Sequence, residues 1–368
     1  MSTNPVCTIY LEQMEEWALP RHSPDSLLGA LPVPPHVRRI IEAHCCWMGC
    51  KTGNYAMTKK IRVDADNSWA ILKDTIIRNT PSQSGSHPTP IKGFTFHRQV
   101  SNADPKPHFF EPVVIVVAQG TKLVRIGPEE QHYGENVCFV CGVDMPVSSC
   151  VMEASEEKPY LSLSLSLDAG LIANLASKVP PSATVPGFFR GAMTQQVEPE
   201  LLDSFVRLAE LAGKPEQIPV MEELLVREIH YRLLVGPFGN ILRTLNTFGS
   251  QGHQITRAIA WLKENYTEPL LVENLASLAN MAPSTFHKYF RDITTLSPLQ
   301  YQKRLRLDEA QRLMLSEGHD VTQAAMAVGY ESVTQFIREY KRLFGDPPRR
   351  SVMNMKNTAI GEPSWAAI

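Results

Sequence analysis

The sequence predicts an α+β chain, in which a β-barrel or sandwich is followed by a helical connector and an all-α domain of two helix-turn-helix units. Three observations predict this. Short apolar runs recur between turn residues from about 91 to 168. From about 199 the apolar period lengthens from that of a strand to that of a helix. From 255 to about 346 the pattern is helical in short pieces, and a helix, tight turn, helix arrangement occurs twice.

Residues 1–81 read as an irregular extension and linker, with clustered prolines (Pro32, Pro34, Pro35) and a polar stretch from Thr80 to Pro88 that marks a domain edge. The stretch 82–195 is the predicted β domain. Its runs are Phe94–His97, Val113–Gln119, Leu123–Ile126 and Val137–Val140, followed by a strict Leu/Ser alternation over Leu161–Leu167. Alternation places the leucines on one face of a strand and the serines on the other. Gly120, Gly127-Pro128, Gly134 and Asp144-Met145-Pro146 supply the turns. A helical connector is expected over 196–248, with Leu201, Leu202, Phe205, Leu208 and Ala209 on one face and Leu224, Leu225, Ile229 and Leu233 on another.

The stretch 252–352 is the predicted double helix-turn-helix. Ile255, Ala258, Ile259 and Leu262 make one stripe, and Leu275, Leu278 and Ala279 a second. A break at Asn280-Met281 precedes a helix that buries Phe286 and Phe290. Ser297-Pro298 opens a long helix, serine as N-cap and proline in the first turn, and Gly318 ends it. The second unit has Asp320 with Gln323 and Ser332 with Gln335, both spaced as capping boxes, around a turn at Gly329-Tyr330. Residues 353–368 read as a frayed tail.

Global charge is nearly balanced, 36 Lys and Arg against 38 Asp and Glu, so any basic surface has to be local. Arg338, Lys341, Arg342, Arg349 and Arg350 against Glu339 and Asp346 form such a cluster, suited to phosphate contact. A solvated helical face is the plainer meaning of the same residues. No apolar run approaches the ~20 residues of a membrane span, and the N-terminus has no secretory pattern. Seven cysteines, unevenly spread, do not form a disulfide framework and are expected to be reduced thiols.

The stretches LASLANMAPSTFHKYFRDITTLSPLQYQKRLRLDEAQRLML and DVTQAAMAVGYESVTQFIREYKRLFGDPP resemble the DNA-binding domain of the bacterial AraC-type regulators throughout. The resemblance rests on Leu275-Ala276, Phe290, Ser297-Pro298 with Tyr301, Arg306 with Ala310, Val328-Gly329-Tyr330, Phe336, Tyr340-Lys341, and Gly345 with Pro347-Pro348. It implies that base edges are read by Ser284, His287 and Lys288 in the first unit and by Val333, Thr334, Gln335 and Arg338 in the second, with Lys341 and Arg342 on the backbone. Arginine suits guanine O6 and N7, glutamine suits adenine, and valine touches a thymine methyl. Each also has a bland role: Ser284 as support for a helix start, Val333 as filler, His287 and Lys288 as phosphate contacts alone. Two positions depart from the family pattern, Ala282 where serine usually caps, and Ile337 where a small or polar residue is usual.

Upstream, Phe110–Lys122, His132-Tyr133-Gly134, Val143–Pro146, Glu153–Ser155 and Pro159–Leu163 are similar to the N-terminal regulatory domain of one subgroup of these regulators, as is Pro219–Pro237. This implies a cupin-like β-barrel with helices that senses a small molecule or dimerises. The expected function is cytoplasmic, sequence-specific transcription regulation, most simply as an activator. The expected partners are double-stranded promoter DNA, a small-molecule effector, RNA polymerase and a second copy of the chain, without membrane, cofactor or enzymatic activity. Three alternatives compete: a cupin enzyme, a zinc or cysteine DNA-repair regulator, and a helical interaction module that never touches DNA.

His97, His108 and His132 lack the grouped spacing of a metal-using cupin. Cys138 and Cys141, three apart on a strand, point to opposite faces. Cys141 and Cys150 are effector-sensing candidates provided their thiols are acidic; buried apolar filler is the alternative. His36, His44, Cys45, Cys46 and Cys50 are dense enough to suggest zinc, but the second cysteine pair lies far away. Residues 1–56 fall outside the resemblance, which suggests a translation start at Met57 or an appended segment.

Overall fold

In the computed structural model, the described residues are 53–180 and 190–359, with side chains from 66 to 356 within them. The chain divides into two compact units, Met1–Val63 and Asp64–Ile368, and every side chain described below belongs to the second. The zinc-like histidines and cysteines of 36–50 lie outside the described residues, as does nearly all of the stretch before Met57.

The first described element is helix α1 (Gly53–Arg78), in a region whose sequence reads as irregular. Its buried residues explain the difference. Leu72, Thr75 and Ile76 are fully or almost fully buried, a helical stripe too short to dominate a polar segment. They pack with Trp69 into the core beneath the β domain.

Among the described residues, that β domain has ten antiparallel strands in two packed sheets. The strands are β1 (Gly85–Pro88), β2 (Phe94–Gln99), β3 (Lys106–Phe110), β4 (Val113–Gln119), β5 (Thr121–Ile126), β6 (Glu129–Gly134), β7 (Val137–Cys141), β8 (Met145–Glu153), β9 (Tyr160–Ser166) and β10 (Ala192–Gln196). The larger sheet runs β1-β2-β9-β4-β7-β10 and the smaller β3-β8-β5-β6. The expected barrel is thus built as a sandwich-like pair of sheets. Between them lie Val113, Ile115, Val117 and Phe139 from the larger sheet, and Phe110, Val124, Tyr133, Val147 and Val151 from the smaller.

The outer face of the larger sheet is also covered. Val114, Val116, Val140, Leu161, Leu163 and Leu165 pack under α2 (Ala169–Ala176), α3 (Pro199–Leu211) and α4 (Ile218–Val235). The Leu/Ser alternation of β9 therefore does not separate core from solvent. Ser162 and Ser164 are 2 % and 3 % exposed, because their face looks between the sheets. His97 lies on the same face of the larger sheet: Nδ1 is 2.9 Å from Ser86 Oγ and Nε2 is 2.8 Å from Ser164 Oγ.

Helix α5 (Gly239–Asn246) leads to the all-α part: α6 (Gln251–Glu264), α7 (Val272–Leu278), α8 (Pro283–Thr294), α9 (Pro298–Arg312), α10 (Val321–Ala327), α11 (Val333–Phe344) and α12 (Pro348–Ala359). Helix α9 widens into a π turn over Leu313–Glu317 and stops at Gly318, whose φ is 72°, a left-handed stop that favours glycine. Helix α12 extends into the stretch whose sequence reads as tail.

Candidate nucleic-acid interface

Each helix-turn-helix is shaped by local chemistry. In the first unit, α7 and α8 are joined by a turn in which Asn280 takes φ 51°. Helix α8 then buries Phe286, Phe290 and Ile293 on one face. Pro283 starts it, and Ala282 at the N-cap offers no side-chain acceptor. In the second unit, the Asp320 carboxylate accepts from the Thr322 and Gln323 amides, both at 2.8 Å. Gln323 Oε1 in turn accepts from the Asp320 amide at 2.9 Å, so this expected box is complete.

The box expected at Ser332 is only half made. Its hydroxyl accepts from the Gln335 amide at 3.3 Å, but the Gln335 side chain donates instead to Glu339 Oε1 at 3.2 Å. Glu339 is also fixed, by Lys303 Nζ at 2.8 Å and the Tyr330 hydroxyl at 2.8 Å.

The second helix of each unit presents the residues singled out from sequence. Ser284, His287 and Lys288 are exposed on α8, and Thr334, Gln335, Arg338, Lys341 and Arg342 on α11. Val333 differs: it is half-buried and packs against the core of the second unit, so part of its surface serves as filler. Among the described residues, Arg338, Lys341 and Arg342 make no hydrogen bond or ion pair. Their charges are available on the face opposite buried Phe336 and Tyr340.

A residue whose role the sequence did not disclose sets the two units relative to each other. Arg306, on α9, donates to four carbonyls: Tyr266 (2.6 Å), Thr267 (3.0 Å), Glu268 (3.0 Å) and Gly329 (2.8 Å). The first three lie on the loop after α6, and Gly329 is the turn of the second unit. Gly329 has φ 84°, and a Cβ there would run into the Thr267 carbonyl, so only glycine allows the approach. Neighbouring Gln302 reinforces the same loop, donating to Tyr266 O at 3.0 Å and Glu268 O at 2.6 Å.

The first unit is joined to the β domain. The Gly191 amide donates to Ile293 O at 3.0 Å, and the Tyr301 hydroxyl to Asp144 O at 2.9 Å. Lys263 Nζ lies 2.5 Å from Asp144 Oδ1 and 3.3 Å from Glu111 Oε1. Phe109 meets the Tyr301 ring edge-on at 5.5 Å. A single apolar core runs from Val143, Met145 and Ala192 through Leu245 to Ile255, Phe290 and Tyr301.

The cysteines fit the apolar role. Cys138 faces the helices and Cys141 the space between the sheets, as strand geometry requires. Burial pushes the Cys141 thiol up to about 12 and raises Cys150 as well. The condition for sensing at Cys141 and Cys150 was acidity, and the structure provides the reverse. Among the described residues, no group of three or more His, Cys, Asp or Glu is placed to hold a metal. No described helix is long and apolar enough to cross a membrane.

Two family models match this chain. Residues 90–241 match the AraC-type transcriptional regulator N-terminus, and residues 275–352 a helix-turn-helix domain. Among curated proteins, the chain is 28% identical over 152 residues to the HTH-type transcriptional activator RhaS of Pectobacterium carotovorum, covering 41% of this chain and 52% of that one. It is 28% identical over 160 residues to the HTH-type transcriptional regulator ArgR of Pseudomonas aeruginosa, covering 44% and 46%. The chain thus spans about half the length of the curated relatives it matches. Similar solved structures include ToxT from Vibrio cholerae, with TM-score 0.47, 13% identity, and coverage of 71% of this chain and 98% of that one. They also include the DNA-binding domain of AdpA in complex with a target DNA, with TM-score 0.27, 28% identity, and coverage of 28% and 95%. With the regulatory domain and the helix-turn-helix domain matched in their family order, the chain belongs to the AraC-type transcriptional regulators.

Proposed function

We propose that this chain is a cytoplasmic, sequence-specific transcription regulator that binds promoter DNA through both helix-turn-helix units and responds to a small molecule through its β domain. An activator's role follows the similarity to RhaS, and RNA polymerase is the partner such a role requires. The observation that carries the reading is the paired presentation of α8 and α11. Each exposes the N-terminal half of the second helix of its unit, the part that enters a major groove. Ser284, His287 and Lys288 read from the first helix; Thr334, Gln335 and Arg338 from the second, with a partly available Val333. Lys341 and Arg342 contact phosphate.

A second copy of the chain is the proposed partner for α4, which leaves Val220, Leu224, Tyr231 and Val235 exposed along one stripe. In an antiparallel pairing, Val220 meets Val235 of the other copy and Leu224 meets Tyr231, while Glu223 faces Arg232. That self-complementarity is what a two-fold interface requires.

Footprinting the full chain on the DNA upstream of its own gene, at physiological salt, tests the DNA reading. Two adjacent major grooves on one DNA face are expected to be protected. Arg338→Ala is expected to cost about 1–3 kcal/mol and to relax specificity at one position. Protection that is indifferent to salt and to Arg338 would remove both the phosphate contacts and the base reading, since phosphate contacts make binding steeply salt-dependent.

A further inference from the structure

Glu339 lies four residues after Gln335 on α11, so the two side chains are neighbours along one edge of the helix. The Glu339 side chain is only 13 % exposed, and donors reach it from the connecting helix, the turn and the reading helix. Lys303 Nζ, on α9, donates to Oε1 at 2.8 Å. The Tyr330 hydroxyl, in the turn before α11, donates to Oε2 at 2.8 Å. The Gln335 amide nitrogen donates to Oε1 at 3.2 Å. Burial alone would raise the Glu339 carboxyl, but the bonds from Lys303, Tyr330 and Gln335 outweigh it and hold the group below its ordinary value. Glu339 is therefore an ion at neutral pH.

An ionised carboxylate only accepts hydrogen bonds. Of the two ends of the Gln335 amide, the nitrogen alone can face it. The contact thus fixes which way round the amide sits, and it leaves the carbonyl oxygen and one amide proton of the exposed Gln335 for another partner. An exposed glutamine without such a contact turns broadly about its last torsion and can offer either its oxygen or both its protons. The difference matters in a major groove. Adenine presents an acceptor, N7, beside a donor, N6, whereas guanine presents two acceptors, N7 and O6. One oxygen with one proton complements adenine; two protons turned outward would also suit guanine.

We propose that Glu339 is a positioning residue for base reading: by holding the Gln335 amide nitrogen, it makes α11 select adenine over guanine at the base that Gln335 meets. Lys303 and Tyr330 hold Glu339 in place for that purpose. The inference rests on the base-reading role proposed above for Gln335 and gives that role its preferred base. Groups that touch a ligand act with precision when a supporting shell locks their orientation, and here the support comes from outside α11 as well as from within it. Arg306 lies over the Tyr330 ring, 5.9 Å from its centre, so the same turn that the clamp between the units fixes also carries the hydroxyl that holds Glu339.

Selection of binding sites from a random pool of duplex DNA by the full chain tests this. Wild type is compared with Gln335→Ala, Glu339→Gln and Tyr330→Phe, and the Tm of each is recorded. Wild type is expected to favour adenine over guanine by about tenfold or more at one position, and Gln335→Ala to lose that preference. Glu339→Gln keeps the size of the side chain, but its amide both donates and accepts, so it no longer dictates which end of Gln335 faces it. It is expected to cut the ratio at that position to about threefold or less and to leave the other positions unchanged. Tyr330→Phe, which removes only the bond to Oε2, is expected to lower the ratio by a smaller factor. A purely structural Glu339 would instead lower Tm and the affinity for all sites together and leave the ratio at its wild-type value, a result that overturns the proposal. Loss of the preference in Gln335→Ala with no change in Glu339→Gln removes the inference alone. If no position favours adenine, or Gln335→Ala leaves the preference intact, the base reading by Gln335 fails and the inference falls with it.

Discussion

The two helix-turn-helix units repeat one motif but are anchored differently. The second has its own core of Leu307, Ala310, Leu313, Met314, Ala324, Ala325, Val328, Tyr330, Phe336 and Tyr340, and both its helices start on side-chain caps. The first has no separate core, since Phe286, Phe290 and Tyr301 share one with Val143, Met145 and Ala192 of the β domain. Its second helix also starts without a side-chain cap. One unit has a core of its own, and the other shares one with the regulatory domain. A change between the sheets therefore reaches DNA first through α8.

The largest expected effect comes from truncating the matching aromatics. Phe290→Ala and Phe336→Ala should each cost about 3–5 kcal/mol. Only Phe290→Ala should reduce amide hydrogen-exchange protection in β7 and β8. Equal protection in both variants would break the comparison.

Next comes the clamp between the units. Arg306→Gln leaves most of its four carbonyls without their donor and should cost about 2–3 kcal/mol. Each unit should still protect its own groove, weakly, but a fixed spacing between the two footprints should be lost. A variant that binds as tightly as the wild type, with unchanged spacing, would show that α9 alone holds the units in place.

The smallest effect is a gain. Ala282→Ser supplies the missing cap of α8 and should stabilise the first unit by about 1 kcal/mol, read as a modest rise in Tm. The second unit offers no equivalent gain at Asp320 or Ser332, which already cap.

What the sequence disclosed follows this division. The caps at Ser297, Asp320 and Ser332, the stop at Gly318, and the buried faces of α8 and α11 are local signals a few residues apart, and each was legible. The exposure of Ser284, His287, Lys288, Thr334, Gln335 and Arg338 was legible too, apart from the share of Val333 that packs inward. The relations between distant segments were not legible. Arg306 meets the Tyr266 carbonyl 40 positions away, and no periodicity encodes such a contact. That both faces of β9 are covered was not legible, because alternation reports two faces without saying that helices cover one and a second sheet the other. Helix α1 was lost among polar residues because three buried side chains make too short a stripe.

The continuous core from Val143 to Tyr301 bears on attempts to build chimaeras. A cut near Ser250 looks like a natural seam, yet it would separate Ile255, Phe290 and Tyr301 from the Val143, Met145 and Leu245 surfaces that cover them. A transplanted DNA-reading half would expose a greasy scar and tend to aggregate. Exchange between relatives should succeed better when residues 142–145 and 191–192 travel with the helices, so that the donor brings its own lining for the joint.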